Sequence, residues 1–153
     1  MKNILNITLK GLMAVVFTGI SSTSFVLAGT PPFFPTDITL SAKGEIVMTE
    51  KGMNRISLFS PDGKKQLRSL PVDEPPTGIL LDGDKAYVTT TANTGHLQIL
   101  SLSSGNKEAS IVTGAGACSP IYGPDKKYIY VCNQFQNTVS EVDPGNQKVV
   151  RTV

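Results

Sequence analysis

A block of about 41 residues recurs three times along the chain, and no other feature limits the fold as much. It reads P-T-D-I-T-L-S-A-K-G-E-I-V-M-T-E from Pro35 and P-T-G-I-L-L-D-G-D-K-A-Y-V-T-T-T from Pro76. A less regular third copy reads P-I-Y-G-P-D-K-K-Y-I-Y-V-C-N from Pro120, so the starts lie 41 and 44 residues apart. A second block follows each start: R-I-S-L-F-S-P-D-G from Arg55, H-L-Q-I-L-S-L-S-S-G from His96 and T-V-S-E-V-D-P-G from Thr138. One such unit cannot bury its apolar face alone, so neighbouring units must stack on one another.

Each repeat reads as four short strands. In the second they are 77–81, 85–91, 96–102 and 107–112, separated by Asp82-Gly83-Asp84, Asn93-Thr94-Gly95 and Ser103-Ser104-Gly105-Asn106. Helix is not expected, because Gly or Pro interrupts nearly every ten residues and no 3.6-residue apolar period persists. Tyr128–Cys132 is apolar on both faces and should be covered on both. The strand after His96 alternates imperfectly, as a half-buried strand would, and Lys64–Arg68 is polar, as an edge strand should be. Four antiparallel strands per repeat of this length predict an all-β chain, a β-propeller of about three blades at 35–73, 74–115 and 116–153. Propellers usually close with about 4 to 8 blades. Three repeats therefore read as the N-terminal part of a longer, incomplete ring, with assembly of several copies into one ring as the alternative.

The first 28 residues read as a secretory signal: Lys2 and Lys10, an apolar stretch from Leu12 to Ile20, then V-L-A ending at Ala28. The apolar stretch is short for a membrane span, which needs about 20 residues. Residues 29–34 read as a linker. The net charge of +2 disappears with the two leader lysines, so neither nucleic acid nor a membrane span is expected of the mature chain. The expected location is the periplasm, the cell surface or the extracellular space.

Tyr87-Val88-Thr89-Thr90 and Tyr130-Val131-Cys132-Asn133, the latter followed by Asn137-Thr138-Val139-Ser140-Glu141-Val142-Asp143, resemble the YVTN-type β-propeller repeat. Gly123-Pro124-Asp125-Lys126-Lys127 stands where that repeat has S-P-D-G-K, with Lys126 in the glycine place. The resemblance implies an exported bacterial or archaeal propeller that binds a protein or small ligand at its rim loops, or serves as a scaffold. It also leaves open a second reading, the N-terminal part of a propeller enzyme: a lactonase-like hydrolase, or a redox protein whose cofactor or cytochrome module lies beyond residue 153.

The residues themselves assemble no catalytic constellation and no cofactor motif. A single His cannot form a multi-histidine metal site, and two Cys without C-x-x-C-H do not attach c-type haem. Asp37 on the first strand is matched by Gly78 and Ile121, so no ring of carboxylates forms for a metal. Asp62, Asp82, Asp84 and Asp125 lie in turns, where a carboxylate bonds nearby backbone N–H groups. The binding candidates are the loop residues of one rim: Glu50, Asn54, Asn93, His96, Asn133, Gln134 and Asn137. A three-residue turn at Pro124-Asp125-Lys126 would set Cys118 opposite Cys132, and the expected exported location predicts a disulfide between them, with two buried free thiols, or a one-residue bulge that turns the cysteines to opposite faces, as the alternatives.

Overall fold

The computed structural model describes residues 34–153; the leader and its cleavage point lie outside the described residues. Twelve strands form three four-stranded antiparallel sheets, each in sequence order. The first holds β1 (Pro35–Leu40), β2 (Ile46–Glu50), β3 (Arg55–Phe59) and β4 (Gln66–Pro71). The second holds β5 (Pro76–Asp82), β6 (Lys85–Thr90), β7 (His96–Ser101) and β8 (Lys107–Val112). The third holds β9 (Ala117–Tyr122), β10 (Ile129–Asn133), β11 (Thr138–Asp143) and β12 (Lys148–Thr152). The only departure from strand and turn among the described residues is one 3-10 turn, Lys51–Met53, ended by Asn54 in the left-handed region at φ 47°. No described helix is long and apolar enough to cross a membrane.

The sheets stack face to face in chain order and do not close on themselves. Val47, Ile56 and Leu58 of the first sheet pack on Ile79, Ala86, Val88 and Leu100 of the second. Tyr87, Leu97 and Ile99 on the opposite face of the second sheet pack on Ile129, Val131 and Val142 of the third. Each of these Val, Leu and Ile side chains contributes roughly 1.5–3 kcal/mol when fully buried. The middle sheet is covered on both faces, so β7 is buried from Leu97 to Ser101 rather than half-buried as its alternation suggests.

The outer sheets are covered on one face only. Ile38 is 63% exposed, whereas Ile79, at the same place in the next repeat, is 6% exposed. For the same reason Tyr128–Cys132 is not covered on both sides: Ile129 and Val131 are buried, Tyr130 is half-buried and Cys132 is exposed. On the second sheet's far rim, Tyr122 meets the edge of Tyr87 at 5.8 Å and donates to Asp82 Oδ2 at 3.1 Å. Burial, together with Tyr87 and Asp82, holds its phenol well above the ordinary tyrosine range.

Register corrects the third repeat. Pro35 faces Glu50, Pro76 faces Thr90 and Ala117 faces Asn133, so the copies begin at Pro35, Pro76 and Ala117, not at Pro120. The place of Asp37 and Gly78 is therefore taken near Ser119, not by Ile121. Each first strand also carries one extra residue, which shifts its register: Thr36 in β1, Thr77 in β5, and in β9 Ser119 and Pro120 against the single Val131. Ser119 takes a positive φ of 51° to accommodate this.

The β9–β10 turn holds four residues rather than three. Gly123 N–H donates to Tyr128 O at 2.9 Å, and Tyr122 pairs with Ile129 instead of Tyr128. The bulge then restores the register, and Cys118 does face Cys132. Both are nevertheless free thiols, so the expected disulfide is absent. Opposed Cβ atoms sit about 4.5–5.5 Å apart, and a disulfide needs them near 3.8 Å. The bulge adds chain to β9 beside this pair and bends the strand without pinching it.

Candidate functional site

Where each sheet's first strand begins, its second strand ends, and the three sheets present these points side by side. The extra residue of the first strand ties each sheet to the next. Thr36 Oγ1 donates to Pro76 O across the first boundary at 2.9 Å, and Thr77 Oγ1 donates to Ala117 O across the second at 2.5 Å. Each also meets a threonine of its own second strand: Thr36 and Thr49 hydroxyls lie 2.9 Å apart, Thr77 and Thr89 hydroxyls 3.0 Å. Thr49 and Thr89 are wholly buried. A threonine suits this place because its methyl packs while its hydroxyl satisfies a carbonyl that the bulge would leave unpaired. In the third sheet Cys118, 41 residues after Thr77, directly faces Cys132, which stands in the place of Thr49 and Thr89, and the extra residue falls instead at Ser119 and Pro120.

These ties border a cleft of about 260 Å³. Thr36, Thr77 and Cys118 form its floor; Lys51, Thr91 and Gln134, which directly follow the second strands, form its wall with Gly116 and Phe135. Lys51 makes no ion pair among the described residues, although its N–H is fixed by Phe34 O at 2.7 Å. The Phe135 ring is 71% exposed, and its N–H is held by Ala115 O at 3.1 Å. The backbone that carries these groups is anchored while the groups themselves are not used by the fold. One cation, one amide, hydroxyls and an aromatic face together suit a ligand that carries an anionic group beside an apolar one.

Of the seven rim residues expected from the sequence, only Gln134 lines this cleft. Glu50 is wholly buried, with Oε2 taking the Arg55 Nε proton at 2.6 Å. Its Oε1 has no partner. His96 Nδ1 meets Glu74 Oε2 at 2.9 Å, and the same oxygen accepts from Thr90 Oγ1 at 2.9 Å. Asn133 is buried and donates to Thr138 Oγ1 at 3.0 Å and Ser140 Oγ at 2.9 Å. Asn54 and Asn137 supply left-handed turns at φ 47° and 52°, and Asn93 sits in the exposed 91–95 loop. Glu50, Thr90 and Asn133 share one repeat position, so the polar groups at that position brace the ends of the second strands. The cleft residues missed are Thr36, Lys51, Thr77, Thr91, Cys118 and Phe135. The signal for two of them is present in the P-T-D and P-T-G starts.

A second cleft, at the opposite ends of the first two sheets, is lined by Ser41, Glu45, Arg68 and Asp84. Apart from the Lys43 ammonium, its charged groups are engaged within the fold: Asp84 accepts from Ser101 and Ser103, Glu45 from Ser41, and Arg68 donates to Ser103 O at 2.7 Å. The Ser101 and Ser103 bonds hold the Asp84 carboxyl below its ordinary range. Asp37, which the sequence places on the first strand as a lone acid, is engaged too: its Oδ2 accepts from Ile79 N–H at 2.9 Å.

No protein-family model matches the chain, and no curated protein does. Among solved structures the chain resembles Kuenenia stuttgartiensis hydrazine synthase with a TM-score of 0.69 at 18% identity. The match covers 84% of this chain and 39% of that one. At this identity the likeness is one of fold alone.

Proposed function

We propose that the three sheets are successive blades of an exported YVTN-type β-propeller, and that this stretch acts as a binding or scaffold module through the rim where its first strands begin. Three features support the radial arrangement. The sheets stack in chain order, their first strands adjoin, and the same hydroxyl-to-carbonyl tie recurs at both boundaries. The observation that carries the binding role is the Lys51–Phe135 cleft, where the side chains of Lys51, Thr91, Gln134 and Phe135 have no hydrogen-bond or ion-pair partner among the described residues. Loops held on a rigid scaffold are where binding residues concentrate.

The ligand class is a small molecule or chain terminus with a carboxylate next to an apolar group. Benzoate is a minimal probe and benzamide its uncharged counterpart. In an NMR titration benzoate should shift the amides of Lys51, Thr91, Gly116 and Phe135 saturably, and Lys51→Ala should abolish the effect. Equal shifts with benzamide, or shifts centred on Ser41 and Asp84 instead, would count against this reading.

A further inference from the structure

We propose that Cys118 and Cys132 form a two-thiolate site for a soft monovalent metal ion of the Cu(I) class. This rests on the geometry of the pair, one member of which, Cys118, also lines the cleft of the binding role proposed above. Three observations carry it. The residues are directly opposed across β9 and β10. Directly opposed side chains of an antiparallel pair rise from the same face of the sheet, so the two sulfurs stand on one side. Both thiols are free, and the face that bears them is uncovered, with Cys118 half-buried and Cys132 exposed.

The spacing that disfavours a disulfide favours a metal bridge. A metal–thiolate bond is about 2.3 Å, so a linear S–M–S unit spans roughly 4.6 Å. With opposed Cβ atoms about 4.5–5.5 Å apart, two Sγ atoms that rise side by side from one face stand at a separation of the same order, which that span can bridge. The rest of the site selects the metal. Among the described residues no group of three or more His, Cys, Asp or Glu could hold an ion, which removes the ligands that tetrahedral zinc needs. Two soft donors alone suit Cu(I), which accepts thiolates in preference to oxygen.

On binding, two S–H bonds break, two Cu–S bonds form and two protons pass to solvent. No electron is transferred, and the bis-thiolate complex carries one negative charge. Lys51 lines the same cleft as Cys118 and supplies a cation with no ion pair of its own among the described residues. The acid on the same face, Glu141, is already held by Arg151 and Tyr130.

The test uses the full chain, reduced and kept anaerobic, titrated with Cu(I) against a chromophoric Cu(I) chelator. The expected result is one Cu(I) per chain with both thiols protected from a thiol reagent. Cys118→Ser and Cys132→Ser should each weaken binding at least about 100-fold, because a chelate becomes a single ligand. The variant Cys118→Thr with Cys132→Thr replaces both thiols by the β-branched residue that stands at 36, 49, 77 and 89 in the other two sheets. It should fold with an unchanged β circular-dichroism spectrum and bind no Cu(I). Single-cysteine variants within threefold of the parent, retained binding in the double-threonine variant, or one metal shared between two chains would each overturn the proposal.

Discussion

Replacing Thr77 by Val keeps the shape of the side chain and removes only its hydroxyl, so it isolates the tie between the second and third sheets. That hydroxyl donates to Ala117 O at 2.5 Å and lies 3.0 Å from Thr89 Oγ1. Losing one intramolecular hydrogen bond costs about 0.5–1.5 kcal/mol net, and leaving a buried acceptor without its donor costs about 1–3 kcal/mol. Ala117 is fully buried, so its carbonyl cannot turn to water and the larger range applies. We predict a loss of about 1–3 kcal/mol. Thr89 keeps a partner, since its hydroxyl also donates to Gly78 O at 3.3 Å, and it adds little. The chain has no Trp, so urea unfolding is followed by β-sheet circular dichroism. Thr77→Ser keeps the hydroxyl and gives up one methyl, and should cost under about 1 kcal/mol. The reasoning fails if the Val variant matches the parent within about 0.3 kcal/mol, or if Ser is as damaging as Val.

Other perturbations test other parts of the fold. A Cβ at Gly95 would stand 2.0 Å from Gly114 O and 2.6 Å from Ala117 Cβ, so Gly95→Ala should cost at least about 3 kcal/mol. At Gly83 nothing lies within 4 Å, and Gly83→Ala should cost only the left-handed penalty of about 1–2 kcal/mol; equal melting points for the two variants would refute the packing argument. Arg55→Ala leaves the Glu50 carboxylate buried and alone, with an expected loss of about 3 kcal/mol, measurable by denaturant unfolding and partly recovered by adding Glu50→Gln. Asp62, Asp84 and Asp143 all have carboxyls held below their ordinary 3.8 by turn hydrogen bonds, of Ser60, Ser101 and Asn146 first in each case. Their folded values are depressed, so their stabilisation is complete above 3.8 and is lost as pH falls through the folded values; Asp84→Asn should flatten an acid unfolding curve below pH 3.8, and an unchanged curve would contradict this. Exported protein should begin at Gly29, and mass spectrometry finding Met1 retained would refute the leader reading.

The strands of the second repeat are legible from the sequence to within a residue or two at each end, because turn residues mark every boundary and local patterning was enough. Burial was less legible. Whether β7 or β10 is covered on both faces depends on which sheets lie beside it, and both strands carry apolar residues on either face. The same dependence explains Ile38 and Ile79, identical in type and repeat position but opposite in exposure. The third repeat was misaligned because Pro120 imitates the prolines at 35 and 76. The residue that matters at that place is the next one, and Thr36, Thr77 and Cys118 lie at an even spacing of 41 residues. Loop position points to the rim residues, but Glu50, His96 and Asn133 are engaged in hydrogen bonds within the fold. Their partners are themselves side chains, Arg55, Glu74, Thr138 and Ser140, and such pairings across strands cannot be read from loop position.

The S-P-D-G-K comparison gives the last prediction. The pattern occurs in two different turns, as Ser60–Lys64 between β3 and β4 with Gly63 in the glycine place, and as Gly123–Lys127 between β9 and β10 with Lys126 there. Both are left-handed, at φ 71° and 55°, and the two turns close alike, with Gly63 N–H to Ser60 O at 2.8 Å and Lys126 N–H to Gly123 O at 3.0 Å. A lysine in this conformation carries a Cβ penalty of about 1–2 kcal/mol that glycine does not. Glycine in turn gains freedom in the unfolded chain, which offsets about 0.4–1 kcal/mol. The Lys126 ammonium lies 6.0 Å from the Tyr122 ring centre, too far and too exposed to weigh much against the change. Lys126→Gly should therefore stabilise the fold, by about 0.5–1 kcal/mol, whereas Gly63→Lys should destabilise it by a similar amount. Thermal melts of the two variants decide it: opposite shifts support the shared turn geometry, and a Lys126→Gly protein that melts below the parent refutes it.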